Sequence, residues 1–112
     1  MSGADVLVVV STFPDRETAL RVAAELVERR LAACVNVQQP CESLYRWEGK
    51  LEHATEVPVW IKTTRETYPL LESTLRAAHP YELPEIVALP VTAGLAPYLD
   101  WIAAETVAVT PT

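Results

Sequence analysis

His79, which stands immediately before Pro80, is the side chain in this sequence best suited to proton transfer or metal binding. An imidazole titrates near neutral pH and binds transition metals through its ring nitrogens, so His79 is a candidate metal ligand or proton carrier. Proline prevents the residue before it from continuing a helix, so His79 is equally placed to cap helix carbonyls and to meet the helix dipole. The sequence leaves both interpretations open.

Two cysteines are the other candidates for chemistry. Cys34 lies on the polar phase of a predicted strand beside Asn36, where a thiolate could face a cleft, although free cysteines are more often buried and inert. Cys41 follows Pro40 in a predicted bulge, and its role is left open. Because one extended segment separates the two cysteines beyond disulfide reach, we expect both thiols to be free.

The familiar local signatures of catalysis and of structural zinc are absent. No glycine-rich loop follows the first apolar run, and the sequence contains no Gly-x-Ser-x-Gly, Cys-x-x-Cys or His-Glu-x-x-His pattern. The net charge of −6 and the lack of any basic run longer than Arg29-Arg30 argue against a nucleic-acid partner. The same charge favours weak attraction of cations.

The length and the start of the chain set its expected class and location. With 112 residues, half of them apolar, we expect a single domain over residues 1–112 with an ordered core at about 5–106. Residues 1–5 resemble no secretory leader, and the longest aliphatic run, residues 6–10, is far short of the about 20 residues that span a membrane. We therefore expect a reduced, cytoplasmic protein with no membrane partner.

Apolar periodicity predicts an α+β fold of order β-α-β-β-α-β followed by a further helix. Strands are expected at residues 6–10, 33–47, 50–63 and 84–91, and helices at 17–31, 64–78 and 95–106. This order is that of the ferredoxin-like split βαβ fold, an antiparallel sheet with both main helices on one face. The predicted inward faces are Leu20, Ala23, Ala24, Val27 and Leu31 in the first helix, and Tyr68, Leu71, Leu75 and Ala78 in the second.

The second and third strands form an unusually long hairpin. Its arms of roughly 14 residues could reach about 45 Å, whereas a compact domain of this length is about 34 Å across. Leu44, Tyr45, Trp47 and Leu51 would then form an exposed apolar ribbon that needs cover from a partner, which closed symmetry supplies. In the alternative, Pro40 and Pro58 break both arms and fold the ribbon back on its own sheet.

Six short motifs resemble the CutA (divalent-cation tolerance) family in content and order. They are residues 30–36 (RLAACVN), 43–49 (SLYRWEG), 62–64 (KTT), 79–82 (HPYE), 84–86 (PEI) and 98–101 (YLDW). The resemblance implies a homotrimer joined by β pairing through the hairpins, similar to the PII signalling proteins. It also implies a non-enzymatic role in tolerance to divalent metals, copper above all.

The same resemblance implies which residues form the sites. In similar metal-binding members the ligands are a cysteine and two histidines, and the corresponding positions here hold Ser11, Ala78 and His79, so any Cu²⁺ binding is expected to be weak and no cofactor obligatory. The residues that resemble the family's intersubunit cleft are Cys34, Trp47, Glu56, Lys62, Tyr81 and Glu85. As an alternative, Lys62 and Glu85 could simply pair across adjacent strands. Trp60 and Trp101 are expected to be packing residues.

Three functional hypotheses follow. The first is a trimeric binding or signalling protein whose clefts between subunits take up a metal ion or small ligand. The second is an enzyme in which His79, Lys62 and Glu56 transfer protons on a small metabolite. The third is a structural trimeric adaptor that presents loops to other proteins.

Overall fold

The computed structural model describes residues 5–107, which form five strands and three helices. The elements are β1 (Val6–Phe13), α1 (Arg16–Glu28), β2 (Cys34–Val37), β3 (Cys41–Trp47), β4 (Lys50–Thr64), α2 (Tyr68–Ala78), β5 (Val87–Pro90) and α3 (Ala96–Glu105). The predicted domain of residues 1–112 extends past both ends of this range, so its limits stay a prediction.

The strands form one antiparallel sheet of order β2-β4-β1-β5, with β3 continuing alongside the far half of β4. β4 is the central strand, pairing with β1 from Phe13↔Val57 to Val6↔Thr64 and with β2 from Val37↔Val59 to Cys34↔Lys62. β5 closes the other side of β1. The expected α+β class and antiparallel sheet are confirmed.

The core lies between the sheet and the helices α1 and α2. Alternate residues of β1 and β4 point into it, among them Val9, Phe13, Val59 and Ile61, because successive side chains of a strand face opposite sides. Leu71 and Leu75 of α2 are buried as predicted, with Tyr68 and Ala78 packed against the same core. α3 reaches the opposite face of the sheet, where the hydroxyl of Tyr98 accepts a hydrogen bond from Lys62 Nζ at 3.4 Å.

Two predictions about the first βα unit were wrong. β1 continues through Phe13, three residues past the predicted end at residue 10, because residues 11–13 pair with β4. α1 ends at Glu28, and its buried residues are Ala19, Val22, Ala23 and Leu26, so that the predicted inward residues Leu20, Ala24 and Val27 are exposed. Ala23, also predicted to face inward, is buried. The helix begins one residue before the predicted start, where Asp15 caps it by accepting a hydrogen bond from the Thr18 amide at 2.8 Å.

The backbone after α1 explains why the helix ends at Glu28, three residues before the predicted end at residue 31. Arg30 has a left-handed backbone, with φ at 60°, and the amide of Leu31 returns to the carbonyl of Leu26. Leu31 is nevertheless buried, as predicted. The Arg30 guanidinium also donates to the carbonyls of Ala104 at 2.7 Å and Glu105 at 3.3 Å, and so caps the end of α3.

The long hairpin is present, with one interruption in its first arm. Residues 38–40 separate β2 from β3, whereas Pro58 is accommodated inside the continuous strand β4 opposite Thr12. The turn at Glu48 and Gly49, both with positive φ, pairs Trp47 with Lys50 and fits a two-residue hairpin loop. The ribbon does not fold back, since Leu44 is 65% and Leu51 70% exposed and the chain measures 48 × 31 × 25 Å.

The helix α2 and the strand β5 are both shorter than predicted. α2 begins at Tyr68 because β4 runs through Thr64, and β5 occupies only Val87–Pro90 of the expected residues 84–91. Trp60 and Trp101, expected to pack, are about half exposed within the single chain.

Within residues 5–107, no helix is both long and apolar enough to cross a membrane.

Candidate functional site

A cleft of about 670 Å³ lies between the hairpin and the segment that joins α2 to β5. Its position follows from the pleat of β3, which turns Ser43, Tyr45 and Trp47 to one face of the hairpin, together with Glu56 of β4. The segment after α2 supplies the opposite wall. The lining residues are Thr12, Ser43, Leu44, Tyr45, Trp47, Glu56, Pro80, Tyr81, Glu82, Leu83 and Glu85.

Four of the six predicted cleft residues meet here: Trp47, Glu56, Tyr81 and Glu85. The other lining residues were not predicted, although Tyr45 and Ser43 share the alternation of Trp47 along β3, which is the signal that could have identified them. Leu83 and Glu82 lie in a segment without regular structure, whose side-chain directions no sequence period predicts.

Negative charge dominates the cleft. Glu56 is only 9% exposed, and none of the ion pairs formed within residues 5–107 involves it. Burial, followed by the negative charge of Glu56, raises the pKa of Glu85 above its ordinary value. Burial, and then a hydrogen bond to Glu56, also raises the pKa of Tyr81 and keeps its hydroxyl protonated. The two carboxylates therefore repel each other whenever both are ionised.

His79 lies beneath this cleft and is itself 8% exposed. Its ring stacks on Phe13 with centroids 4.4 Å apart, and its Nδ1 accepts a hydrogen bond from the Tyr81 amide at 3.1 Å. Nδ1 must then be unprotonated, so Nε2 carries the hydrogen and donates it to the Thr12 carbonyl at 2.8 Å. Burial lowers the pKa of His79, and the neutral ring fastens the end of α2 to β1.

The residues at the metal positions do not fit a copper site within one chain. Both nitrogens of His79 are engaged, Ala78 has no ligand atom, and the Ser11 hydroxyl is a poor copper ligand beside a thiolate or imidazole. In the described part of the chain, no three His, Cys, Asp or Glu side chains are grouped so as to hold a metal ion. His79 could bind a metal only by giving up one of its two hydrogen bonds.

Ser11 Oγ is fully buried and has no hydrogen-bond partner among residues 5–107. An unsatisfied buried hydroxyl costs about 1–3 kcal/mol, so Ser11→Ala should raise the free energy of unfolding by about 1 kcal/mol in urea denaturation. The matched control is Thr63→Val, which removes a buried hydroxyl that donates to the Leu31 carbonyl at 2.7 Å and should lower it by a similar amount. A loss of stability in Ser11→Ala would show that the hydroxyl is satisfied after all.

Cys34 and Lys62 lie outside the cleft of their own chain. They are direct partners on β2 and β4, and Lys62 Nζ lies 5.8 Å from the centre of the Tyr98 ring. The alternative ion pair between Lys62 and Glu85 is not among those formed by the described residues. Both cysteines are free, as predicted, and Cys41 Sγ is 3.8 Å from the Ser43 hydroxyl.

Comparison with known families gives one match that covers most of the chain. A family model described as "CutA1 divalent ion tolerance protein" matches residues 7–105. A "Divalent-cation tolerance protein CutA" of Thermus thermophilus is 46% identical over 95 residues, covering 85% of this chain and 92% of that protein. The human "Protein CutA" is 45% identical over 91 residues, 81% of this chain, which spans about half (51%) of the human protein's length.

Solved structures agree with the same assignment. A Thermus thermophilus divalent cation tolerance protein (Cut A1) superposes with a TM-score of 0.88 at 44% identity, covering 90% of this chain and 98% of that one. CutA1 from Oryza sativa gives a TM-score of 0.90 at 36% identity over 95% of this chain and 97% of its own. The periplasmic divalent cation tolerance protein CutA from Archaeoglobus fulgidus gives a TM-score of 0.86 at 40% identity, covering 89% of this chain and 97% of that one.

Proposed function

The chain belongs to the CutA1 divalent ion tolerance family, and on that premise we propose that it acts as a homotrimer whose clefts bind a small ligand during the response to divalent metal ions, copper in particular. The proposal is that of a binding or signalling protein and not of an enzyme. We place it in the cytoplasm, although the similar protein of Archaeoglobus fulgidus is described as periplasmic.

The observation that carries the proposal is the exposed ribbon of the hairpin. Leu44, Tyr45, Trp47 and Leu51 are all exposed on the hairpin, which projects from a chain 48 Å long. Over residues 50–56, no strand within residues 5–107 pairs with the second edge of β4. Apolar surface beside an unpaired strand edge favours association, and closed symmetry limits that association to a defined number of copies. Pairing of hairpins between copies would cover the free edge of β4 and the hairpin face that carries Leu44 and Leu51, and would leave Tyr45 and Trp47 on the face of the cleft.

The strand order supports the finer assignment of the fold. With β2 and β3 taken as one interrupted strand, the order β2-β4-β1-β5 and its antiparallel pairing correspond to a ferredoxin-like split βαβ sheet. Trp60 lies on the sheet face away from α1 and α2, and Trp101 lies on α3, which packs on that same face. In a PII-like trimer this face would be turned toward the other subunits, which would account for its exposed aromatic residues.

Copper enters the proposal as a weak contact and not as a cofactor at a built site, because the residues at the three ligand positions do not fit one. We expect the tolerance to divalent metal ions to depend on ligand binding at the cleft. Cys34 and Lys62 could join it only from a neighbouring subunit, since both lie elsewhere in their own chain.

Growth in copper tests the role of the cleft directly. A host lacking its own copy of this protein should regain growth at raised Cu²⁺ when it carries the wild-type chain, and should not regain it with Glu56→Gln, which keeps the side-chain volume and removes the charge. Glu28→Gln, on the exposed surface of α1, is the matched control and should restore growth fully. Full tolerance with Glu56→Gln at equal protein levels would refute a role for the cleft.

The alternatives predict different results. The enzyme hypothesis needs His79, Lys62 and Glu56 close together, whereas Lys62 lies outside the cleft of its own chain and His79 has both nitrogens engaged. The adaptor hypothesis needs only the assembled shape, so it predicts that Glu56→Gln keeps full tolerance while loss of the trimer abolishes it.

A further inference from the structure

We propose that the cleft beside the hairpin selects a small organic cation, a protonated amine attached to an apolar body, over a bare metal ion or an anion. This inference rests on the proposed function and deepens it by naming the chemical class of the ligand. The lining of the cleft carries the inference through its charge, its aromatic walls and its size.

The charge favours a cation. Glu56 is nine-tenths buried at the base of the cleft, while Glu85 lies exposed at its rim, and no lysine or arginine is among the lining residues. A buried carboxylate without a cationic partner is costly, and a neighbouring carboxylate increases that cost. Burial, followed by the negative charge of Glu56, raises the pKa of Glu85. A positive group placed between Glu56 and Glu85 would relieve the repulsion between them.

The aromatic and aliphatic walls of the cleft favour a cation that carries an apolar organic group. Tyr45, Trp47 and Tyr81 line the cleft together with Leu44 and Leu83. Aromatic faces attract ammonium groups, and the attraction grows when the group is withdrawn from water. A cavity of about 670 Å³ lies within the range typical of small-molecule sites, and it is far larger than a single metal ion requires.

The cleft of one chain lacks the protein groups that would bind a bare metal ion or an anion. A divalent metal ion generally requires three or more suitable side chains, and no such group exists within residues 5–107. An anion would need a positive partner, and none of the residues that line the cleft of one chain is basic, because Lys62 lies against Tyr98 on the other face of its own sheet. The carboxylates would repel an anion. A neighbouring subunit that placed its Lys62 at this cleft would make the cleft bind phenylacetate, and that result would overturn the inference.

Three probes of nearly equal shape separate these possibilities by calorimetry: phenethylamine, which is protonated at neutral pH, neutral 2-phenylethanol and anionic phenylacetate. Phenethylamine should bind, with 2-phenylethanol at least about tenfold weaker and phenylacetate undetectable, because one charged contact is worth roughly a factor of ten or more. Glu85→Gln should weaken phenethylamine binding about tenfold, and Glu28→Gln should leave it unchanged. Glu85 is exposed, so its substitution should not disturb folding.

Equal binding of the amine and the alcohol, or binding of the amine that is unchanged in Glu85→Gln, would overturn the inference. Tight stoichiometric binding of Cu²⁺ that depends on Glu85 would also overturn it, in favour of a metal site. Light scattering on the same samples distinguishes this failure from failure of the proposed function. A trimer that ignores phenethylamine overturns the ligand class alone, whereas a monomer overturns the shared cleft.

Discussion

Replacing His79 by alanine should lower the free energy of unfolding by about 3 kcal/mol, measured by urea denaturation. The substitution leaves the Thr12 carbonyl and the Tyr81 amide without their partner, and each unsatisfied buried group costs about 1–3 kcal/mol. It also removes the ring that stacks on Phe13, at a position where His79 is only 8% exposed.

His79→Gln is the matched control for that loss. A glutamine amide can donate to the Thr12 carbonyl and accept from the Tyr81 amide, so this variant should recover a measurable part of the stability. A change below about 0.5 kcal/mol in His79→Ala, the range of ordinary surface substitutions, would mean that His79 does not fasten α2 to β1.

The same residue predicts the direction of a pH effect. Burial lowers the pKa of His79 in the folded protein below its ordinary value of 6.5, so protonation favours the unfolded chain. The stability that the neutral ring provides is fully present above about pH 6.5 and is lost as the pH falls toward the folded-state pKa. Between pH 7 and pH 5, the wild type should therefore lose more stability than His79→Gln, and equal losses would contradict this assignment.

Replacing both Leu44 and Leu51 by aspartate should convert the assembly to monomers. These side chains are 65% and 70% exposed on one face of the hairpin, so the charges cost little in the free chain and would be buried only in an assembly. Light scattering of the double variant should give a mass near the 12.4 kDa of one chain. The circular dichroism spectrum should retain both helix and strand signals.

The matched control for the hairpin variant is the pair Leu20→Asp and Val27→Asp. Both side chains are exposed (46% and 41%) on α1, which packs on the sheet face opposite α3, so the same two added charges should leave the mass unchanged. If this α1 pair dissociated the protein as fully as the hairpin pair, the hairpin would not be the specific contact. If the hairpin variant remained trimeric, hairpin pairing would be refuted.

The order and type of the elements follow from local patterns, which is why the sequence alone predicts them. The alternation through Val35, Val37, Val59 and Ile61 marks strands with one buried face, and Gly49 marks the hairpin turn. The buried face of α1 could not be predicted in the same way. Its apolar residues form two overlapping helical stripes, one through Ala19, Val22 and Leu26 and one through Leu20, Ala24 and Val27, and only packing against the sheet chooses between them.

The candidate site was predicted in part for a related reason. Trp47, Tyr81 and Glu85 lie in motifs that resemble a known family, and Glu56, which lies outside those motifs, resembles a residue of the family's cleft; the fold brings all four to one cleft. Cys34 and Lys62 belong to the same motifs, but strand register sets them opposite each other on another part of the sheet. The role of His79 depends on contacts with Thr12 and Phe13, more than sixty positions away, and no local pattern encodes such contacts.

The mass of the dilute wild-type protein tests the central claim, that exposed hairpins join copies of this chain, most directly. Multi-angle light scattering at low micromolar concentration should give about three times 12.4 kDa. A stably folded species at 12.4 kDa under the same conditions would contradict the trimer, and with it every role assigned to a cleft shared between subunits.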